Sequence, residues 1–383
     1  MSFQSWYATC PRGAEQPLEQ ELAALGAKGL RPSPGLVRFT GPRSLALRAC
    51  LELRCALRVL EPIGEWPCES ADALYAGALP LPWAELVAPG QTIAISASGK
   101  APGLDHTHFV ALKLKDAICD NLRDARGSRP DVDTERPDVQ IVAHLGRGRC
   151  SLSLDLVGAL LSDRGYRVEQ VEAPVREALA AAVVRLSGWD AQAPLHDPVC
   201  GSGTLVIEAA LVALGRAPGL RRVLGCERWP RTASADAAAL ALLREELEQR
   251  ARAREVAGVP ALFASDRDAG AVAATRANVA AAGVERFVQV SQADARQLQP
   301  LSPAGQLLLN VPYGERLDAG GRKQLKSFYH SLGEALRKLS GHRASVLSAS
   351  EEFESSFGVR PTGRPVELWN GPLRCGLYSY AFR

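Results

Sequence analysis

Long hydrophobic runs are missing from this sequence of 383 residues. An apolar stretch such as residues 178–184 is far shorter than the roughly 18 residues that a membrane-spanning helix requires. The chain starts on the polar segment Met1-Ser-Phe-Gln, which lacks the charged and apolar regions of a secretory signal peptide. We therefore expect a cytoplasmic protein with no membrane partner.

Cysteine pairs are also missing. The nine cysteines are an odd number, and they form no Cys-x-x-Cys pair and no cluster with histidine at the spacing of metal ligands. His106 and His108 lie two residues apart, but no third ligand accompanies them. The sequence therefore predicts free thiols in a reducing compartment and no metal site.

A strong excess of one charge sign is absent too, because 45 Lys and Arg residues face 42 Asp and Glu residues. Up to Gly158 the chain has 17 basic and 18 acidic residues, a net charge of −1, whereas the remainder has 28 and 24, a net charge of +4. Affinity for phosphates depends on a local patch rather than on the total charge. Any surface that binds nucleic acid must therefore be such a patch.

The chain is long enough for two or three domains, since a single core usually stops growing at about 250–300 residues. Its content of 46% hydrophobic and 23% charged residues is that of an ordinary globular protein. Two small units of mixed strands and helices come first. Their predicted strands cover residues 6–9, 35–40, 91–98, 139–143 and 149–156, and their predicted helices cover residues 15–25, 44–55 and 109–123. The turn Gly146-Arg-Gly148 joins the last two strands.

The remainder alternates apolar strand patterns with helices, which is typical of βαβ units and a parallel sheet. A helical pattern at residues 175–187, opened by Pro174, leads into this region. The predicted strands cover residues 194–196, 261–265, 287–290, 306–309 and 343–348. An alanine-rich helix at residues 232–256 is inserted between the first two of these strands. The fold class is therefore α/β.

A strand end, a glycine-containing turn and a helix start follow one another in His196-Asp-Pro-Val-Cys-Gly-Ser-Gly-Thr204. Because Gly201 and Gly203 have no Cβ, the backbone there bends sharply and approaches a ligand closely, and the N–H groups at the helix start attract an anionic group. This order indicates a nucleotide-type cofactor site. Taken alone, the Gly-Ser-Gly motif is explained equally well by a structural turn.

Two further strands of this region end in aspartate. Asp266 is placed to accept both hydroxyls of a ribose, and Asp294 is within reach of an adenine amino group. The alternative for each is a helix N-cap, for which Asp268 is the better candidate of its pair. The 69 residues from Asp197 to Asp266 exceed the roughly 20 of a minimal dinucleotide fold, which argues against a dehydrogenase.

A fourth strand leads into Asn310-Val-Pro-Tyr313 at the edge of the sheet where ligands bind in open α/β folds. The amide oxygen of Asn310 and the carbonyl of Val311 are suited to accept the two protons of an exocyclic amino group. Pro312 keeps the segment rigid, and Tyr313 is suited to stack on a flat base. A surface β-turn is the alternative interpretation.

With these motifs the chain resembles THUMP-domain class I methyltransferases, particularly those that methylate the N2 of guanine in bacterial 23S ribosomal RNA. The likeness covers essentially the whole chain. Its most specific parts are Asp-Pro-x-Cys-Gly-Ser-Gly-Thr and the Tyr-Gly-Glu-Arg extension of the tetrapeptide. The matching segments are Ala8–Gly13, Arg48-Ala-Cys-Leu, Arg58-Val-Leu, Arg164-Gly-Tyr-Arg167, Glu172-Ala-Pro174, Asp197–Thr204, Cys226-Glu-Arg-Trp229, Asn310–Leu317 and Asn370-Gly371.

The resemblance implies three domains: a ferredoxin-like domain at residues 1–65, a THUMP domain at 66–158 and a methyltransferase domain with a seven-stranded sheet at 159–383. The last strand, at residues 376–383, would be the antiparallel one. S-adenosylmethionine is the implied cofactor and guanine the implied target. Residues assigned to the cofactor are Asp197, Cys200, Gly201, Gly203, Thr204, Asp266 and Asp294, and those assigned to catalysis are Asn310, Pro312 and Tyr313.

Two departures from the family pattern stand out. Val311 occupies the position where the family usually has a proline, so one rigid residue is lost while the accepting carbonyl is kept. The chain also ends after one catalytic domain, whereas some relatives continue into a second methyltransferase. We therefore expect the form with a single catalytic domain.

The partner expected from the resemblance is RNA, held by basic residues of the THUMP region. Lys100, Lys113, Arg147 and Arg149 are the main candidates, and the last two flank a hairpin turn. An ordinary solvated surface is the alternative for each of them. Three functions stay open: methylation of ribosomal RNA, methylation of transfer RNA, and RNA binding as an assembly factor that has lost turnover. A nicotinamide-dependent oxidoreductase is disfavoured because no Gly-x-Gly-x-x-Gly turn is present.

Overall fold

Two β-sheets flanked by helices make up the structure, a computed structural model that describes residues 4–169, 175–313 and 319–382. The segment Glu172-Ala-Pro174, the part of the Tyr-Gly-Glu-Arg extension beyond Tyr313 and the final Arg383 lie outside the described residues. Among the helices that are described, none is both long and apolar enough to cross a membrane. All nine cysteines are unpaired and buried.

The N-terminal sheet has eight strands and spans both of the small units predicted from the sequence. Its elements are β1 (Gln4–Thr9), α1 (Glu15–Ala24), β2 (Lys28–Ser33), β3 (Leu36–Gly41), α2 (Arg43–Glu52), β4 (Arg58–Pro67), α3 (Ala71–Ala78), α4 (Trp83–Leu86), β5 (Thr92–Gly99), α5 (Thr107–Arg126), β6 (Asp131–Val132), β7 (Val139–Gly146) and β8 (Arg149–Asp155). The strand order is β2-β3-β1-β4-β8-β7-β5-β6. Strand β4 pairs with β1 on one side and with β8 on the other, so the predicted boundary between residues 65 and 66 lies within a shared strand.

Local sequence explains several of these elements. In β1 the side chains of Trp6 and Ala8 are fully buried and alternate with more exposed neighbours, as a strand with one core-facing side requires. The turn between β7 and β8 has Arg147 at φ +52° and Gly148 at φ +68°, so both adopt the left-handed conformation that joins a tight hairpin. The predicted Gly146-Arg-Gly148 turn is confirmed.

The second sheet has seven strands in the order β11-β10-β9-β12-β13-β15-β14. Its elements are α6 (Glu177–Leu186), β9 (Leu195–Asp197), α7 (Thr204–Ala213), α8 (Ala233–Ala257), β10 (Leu262–Asp266), α9 (Ala269–Ala281), β11 (Val288–Gln292), β12 (Gly305–Asn310), α10 (Ala319–Arg337), β13 (His342–Ser348), α11 (Phe353–Phe357), β14 (Val366–Asn370) and β15 (Leu373–Ala381). The first five strands in this order are parallel, and β15 runs antiparallel to both of its neighbours. The predicted parallel sheet and antiparallel last strand are confirmed.

The inserted helix α8, which the alanine-rich pattern predicts within one residue at each end, packs against α2 of the N-terminal unit. Arg43 of α2 donates to both carboxylate oxygens of Asp236 on α8, at 2.8 and 2.6 Å, and Asp236 is buried. Arg48 and Glu246 form a second ion pair between these helices. The N-terminal unit and the second sheet are therefore joined by a charged interface as well as by the chain itself.

A second connection is buried beneath helix α7. Arg164 pairs with Glu208 of α7 at 3.3 Å, with side chains that are 2% and 0% exposed. Tyr166 donates to the same carboxylate oxygen at 3.0 Å, and Arg164 also donates to the backbone carbonyl of Arg54 in the N-terminal unit at 2.6 Å. Burial raises the pKa of Tyr166 well above its ordinary value, with the charge of Glu208 as the next cause, so its hydroxyl stays a donor.

Removing one partner of this buried pair should destabilise the fold strongly. In Arg164→Met the carboxylate of Glu208 loses its cation, and such losses cost about 3–5 kcal/mol. Urea unfolding measures the change. The matched control is Arg252→Met, which breaks an exposed pair with Glu248 whose side chains are 79% and 53% exposed and should change stability by about 0–1 kcal/mol. Equal effects for the two variants would contradict the prediction.

Candidate active site

A cleft of about 1070 Å³ opens at the carboxyl edge of the second sheet, where ligands of open α/β sheets bind. Strands β9, β10 and β12 end there at Asp197, Asp266 and Asn310. Nine of the ten residues predicted for cofactor binding and catalysis line this cleft, namely Asp197, Cys200, Gly201, Thr204, Asp266, Asp294, Asn310, Pro312 and Tyr313. The structure thus brings together side chains that are up to 116 residues apart in sequence.

The glycine turn has the backbone conformation that its sequence predicts. Gly201 and Gly203 have φ values of +53° and +81°, and helix α7 begins at the next residue, Thr204. Gly203 lies behind the cleft wall, where an added Cβ would stand 2.9 Å from the Cγ2 atom of Thr275. Both the left-handed backbone and the lack of space therefore favour glycine at this position.

Helix α9 holds this turn through two polar residues that sequence reasoning missed. Thr275 donates to the carbonyl of Gly201 at 2.8 Å and lies 3.3 Å from the thiol of Cys200. Asn278 donates to the carbonyl of Ser202 at 2.9 Å. The available signal was a pair of polar residues three apart on a mostly apolar helix, a spacing that places both side chains on one face.

Asn278 also connects the turn to the segment that precedes the catalytic sheet. Its Oδ1 accepts the backbone N–H groups of Val168 and Glu169 at 2.9 and 3.0 Å. Next to them, Arg167 donates to the hydroxyl of Thr204 at 3.3 Å. The resemblance implied no specific role for the segment Arg164-Gly-Tyr-Arg167. In the structure its last residue contacts the first residue of α7, next to the glycine turn.

The four aspartates that line the cleft have different surroundings. Asp266 accepts the N–H of Gly201 at 3.0 Å through one oxygen and the N–H of Asp268 at 3.0 Å through the other. Asp268 caps helix α9 by accepting from the N–H of Ala271 at 2.8 Å, as predicted. Asp266 therefore fixes the glycine turn, and each of its oxygens can accept a further hydrogen bond in the cleft that the residue lines.

Asp294 acts as an N-cap in this structure, which is the alternative that the sequence left open. It accepts from the backbone N–H of Arg296 at 2.9 Å and from the guanidinium of the same residue at 3.0 Å. The hydrogen bond from Arg296 holds the pKa of Asp294 below its ordinary value. The side chain lines the cleft in this ion-paired state, and its contact with adenine stays a prediction.

Asp197 is the most deeply buried carboxyl of the cleft, with 1% exposure. Burial raises its pKa well above the ordinary value, and the charge of Asp266 adds to that shift. The neighbouring His196 is buried beside the hydroxyl of Ser265 at 2.9 Å, and burial lowers its pKa to about 4. His196 is therefore a neutral core residue rather than a proton carrier at neutral pH.

The tetrapeptide is held from two sides. The N–H of Val311 donates to the carbonyl of Leu347 in β13 at 3.1 Å, and its side chain is fully buried in the apolar core. Tyr329 of α10 donates to the carbonyl of Pro312 at 2.7 Å. Since a proline has no N–H, valine at position 311 adds a hydrogen bond to the β12–β13 ladder and leaves the carbonyl of that residue in place.

Asn310 carries an unusual polar atom. Its Oδ1 is buried, yet it has no hydrogen-bond partner among the described residues. Buried acceptors without a partner are rare because desolvation costs about 1–3 kcal/mol. An acceptor left open at the end of β12, in the wall of a cleft, is suited to a donor on a bound ligand.

Comparison with known families decides the class of this site. Residues 164–379 match the family described as RMKL-like, methyltransferase domain. The chain belongs to this methyltransferase family. Residues 68–155 match the THUMP domain, and residues 5–60 match the RlmL ferredoxin-like domain. The predicted family and fold class are confirmed, and the exact domain boundaries stay predictions.

Curated relatives of this methyltransferase family are longer than the chain. The ribosomal RNA large subunit methyltransferase K/L of Syntrophotalea carbinolica is 39% identical over 388 residues, which cover 98% of this chain and 53% of the relative. The protein of the same name from Pseudomonas aeruginosa is 39% identical over 383 residues, covering 97% and 52%. The chain spans about half the length of the curated relatives it matches.

Solved structures match the whole of the described fold. SMU.472, crystallised in complex with SAH, has a TM-score of 0.87 at 29% identity and covers 100% of this chain and 99% of its own. A predicted N6-adenine-specific DNA methylase from Listeria monocytogenes has a TM-score of 0.86 at 27% identity, with coverages of 100% and 97%. SAH is the product that S-adenosylmethionine becomes when it gives up its methyl group, so the prediction of this cofactor is confirmed for the family.

The basic residues predicted to bind RNA in the THUMP region differ in their surroundings. Arg149 is paired with Glu65, and Lys113 lies 5.2 Å above the ring of Tyr75. Lys100 and Arg147 form no side-chain hydrogen bond or ion pair within the part of the chain that the structure describes. The N–H of Lys100 donates to the carbonyl of Leu145, which places it beside the hairpin that carries Arg147. Within the described residues, no group of His, Cys, Asp and Glu is arranged to hold a metal.

Proposed function

We propose that this chain transfers a methyl group from S-adenosylmethionine to the exocyclic N2 of a guanine in structured RNA, with 23S ribosomal RNA as the leading candidate. The observation that carries the proposal is the Oδ1 of Asn310, which lies in the cleft of a methyltransferase domain and has no hydrogen-bond partner within the described parts of the chain. The names of the curated relatives support ribosomal RNA as the substrate. The THUMP region supports RNA as the partner.

In this proposal the cofactor lies across the carboxyl ends of β9 and β10. Asp266 accepts the ribose hydroxyls, and Asp294 lies on the adenine side of the cleft. The turn that contains Gly201 approaches the methionine portion, with Cys200, Thr204 and the buried Asp197 beside it. The fixed backbone of the turn, held by Thr275 and Asn278, supports this placement because a rigid loop loses little entropy when it binds a ligand.

The proposed chemistry needs orientation more than a strong base. The lone pair of an exocyclic amine is delocalised into the base, and accepting its two protons at Asn310 Oδ1 and the Val311 carbonyl turns that lone pair towards the methyl group. The new N–C bond forms as the C–S bond breaks, the sulfonium becomes a neutral thioether, and the amine then releases a proton to water. Tyr313 stacks on the base, and Pro312 keeps the segment rigid.

A methyl-transfer assay tests the proposal directly. The protein is incubated with methyl-labelled cofactor and with total RNA from a strain that lacks the enzyme, and the label is mapped by nuclease digestion and mass spectrometry. Label on the N2 of a guanine in ribosomal RNA supports the proposal. Label on transfer RNA would mean that transfer RNA, and not ribosomal RNA, is the substrate. Absence of label on any RNA would favour an assembly factor without turnover.

The same assay separates guanine from adenine. One similar structure is named an N6-adenine-specific DNA methylase, and adenine N6 is also an exocyclic amine on a flat purine. An acceptor pair such as Asn310 Oδ1 and the Val311 carbonyl suits both groups. Label on adenine N6, in DNA or RNA, would replace guanine N2 in the proposed reaction.

Arg147 should contribute more to RNA binding than Arg149. Arg147 lies at a hairpin tip without a partner among the described residues, whereas Arg149 must leave Glu65 to reach a phosphate. We expect Arg147→Ala to weaken RNA binding and to reduce the salt slope by about 0.7–0.9, the share of one phosphate. Arg149→Ala should change both the RNA affinity and the salt slope less than Arg147→Ala does. Filter binding at several salt concentrations measures the slope, and equal slopes for wild type and Arg147→Ala would remove Arg147 from the interface.

A further inference from the structure

Asn370 contacts the proposed base-stacking residue from the far edge of the sheet. It is the last residue of β14, and its Nδ2 donates to the hydroxyl of Tyr313 at 3.1 Å. Both side chains are half-buried. Two strands, β13 and β15, lie between β14 and the strand that delivers the tetrapeptide. The contact therefore fixes the phenol end of Tyr313 from outside its own segment.

The strand that carries Asn370 is an edge strand, and it is held in place by the N-terminal unit. The N–H of Trp369 donates to the carbonyl of Arg12 at 3.0 Å, and the guanidinium of Arg12 lies 4.5 Å from the centre of the Trp369 ring. Gly13 packs so closely that an added Cβ would lie 2.1 Å from the carbonyl oxygen of Glu367. An edge strand has a row of backbone N–H and C=O groups without a strand partner, and in β14 the N-terminal unit pairs one of these groups.

The loop that holds this edge is itself rigid. Glu15 accepts the N–H of Gly13 at 3.1 Å and that of Gly35 at 2.6 Å through a single oxygen. The N–H of Cys10 donates to the carbonyl of Gly35 at 2.9 Å. A rigid loop, a pinned edge strand and the Asn370 amide thus form a continuous line of contacts that ends at Tyr313.

We propose that Asn370 is a positioning residue for Tyr313, which holds the aromatic ring at the angle that the target base requires. The inference rests on the proposed function, in which Tyr313 stacks on that base. Among the described residues, those that line the cleft do not include Asn370. We therefore place its effect on Tyr313 and not on the substrate directly. A ring that is free to tilt presents the amine at a wrong angle, and small misplacements of reacting groups are costly in rate.

A double-mutant cycle tests this role on the full chain with RNA and labelled cofactor. Asn370→Ala and Tyr313→Phe each remove the same hydrogen bond. Each should lower kcat about tenfold, while the KM for RNA and the Kd for S-adenosylmethionine change by less than about twofold because neither variant alters those contacts. Adding Asn370→Ala to Tyr313→Phe should lower kcat no further, because the hydrogen bond between the two residues is already gone.

The conservative variant Asn370→Asp gives a second readout that a purely structural role does not predict. A carboxylate at this position accepts from the Tyr313 hydroxyl, so activity should recover in Asn370→Asp and fall again when Tyr313→Phe is added. Asn121→Ala is the matched control, because the side-chain amide of Asn121 donates to the carbonyl of Leu79 in the N-terminal unit at 2.9 Å and does not line the cleft. It should leave kcat unchanged.

The outcomes separate this inference from the proposed function. If the wild type is active and Asn370→Ala has the same kcat, the positioning role is wrong and the proposed function stands. The same holds if the losses of kcat from the two single substitutions multiply in the double variant. A wild type that transfers no methyl group to any RNA would overturn the proposed function, and the positioning role with it. Loss of kcat in Asn370→Ala with no recovery in Asn370→Asp counts against the hydrogen bond as the cause.

Discussion

Replacing Asn310 by alanine should lower kcat by about 10²–10³ while the Kd for S-adenosylmethionine stays nearly unchanged. The reason is the buried Oδ1 that has no partner among the described residues and therefore stands ready for a donor on the base. Removing one preorganised group that acts on the reacting atoms has costs of that size. Single-turnover transfer measures the rate, and calorimetry measures cofactor binding.

Asn310→Asp is the informative companion to that variant. It keeps oxygen acceptors at the same position, so it should retain more activity than Asn310→Ala, although the added charge beside the base alters the reaction. If Asn310→Ala instead weakens cofactor binding by an order of magnitude, Asn310 contacts the cofactor and the proposed base contact is wrong.

Asp266→Ala should show the opposite pattern, with a Kd for S-adenosylmethionine raised at least about 100-fold and a smaller change in kcat at saturating cofactor. Two ribose hydroxyls lose a charged acceptor, and hydrogen bonds to charged groups contribute about 1.5–3 kcal/mol each. The N–H of Gly201 loses its partner in the same step, which loosens the glycine turn. Equilibrium binding of the cofactor in the absence of RNA measures the effect.

Asp190 provides a matched control for this substitution. It too accepts two backbone N–H groups, those of Gln192 and Ala193 at 2.9 and 3.3 Å, but in an exposed turn away from the cleft. Asp190→Ala therefore removes the same kind of local hydrogen bonding without touching the site. A similar loss of cofactor affinity in both variants would show that Asp266 acts only on stability.

The sequence predicts the parts of this site that depend on local patterns. Gly201 and Gly203 mark a turn that only glycine adopts easily, and a strand ending in Asp266 or Asn310 reaches the carboxyl edge of any parallel sheet. The long helix α8 follows from its alanine-rich pattern. These features are encoded within a few residues of one another, so no knowledge of the rest of the fold is needed.

What the sequence does not reveal depends on contacts between distant segments. Thr275 and Asn370 look like ordinary polar residues until the fold brings one of them to the glycine turn and the other to Tyr313. Strand β2 was missed because it is an edge strand with almost wholly exposed side chains, which leaves no apolar alternation to read. Asp294 and Arg296 are only two residues apart, but whether they form an ion pair depends on the direction in which each side chain points.

Val311 illustrates how a departure from a family pattern changes meaning in three dimensions. In the sequence it is a lost proline next to Asn310, so one rigid residue is missing from the segment. In the structure its N–H donates to Leu347 and its side chain fills the core. Valine thus fixes the segment through a backbone hydrogen bond to the neighbouring strand, where a proline would fix it through its ring.

Under the proposed function, the docking of α8 on α2 has a consequence for how an RNA is chosen. Arg43 and Asp236 join α2 to α8, and β4 pairs with β8 in the same N-terminal sheet, so these contacts set the distance from the THUMP region to the cleft. An RNA that is gripped at one end must present its target nucleotide at that distance, by leaving its stack if necessary. The distance within the RNA between the bound region and the target nucleotide then selects the target. An RNA with the same local sequence but an altered stem length should not be methylated.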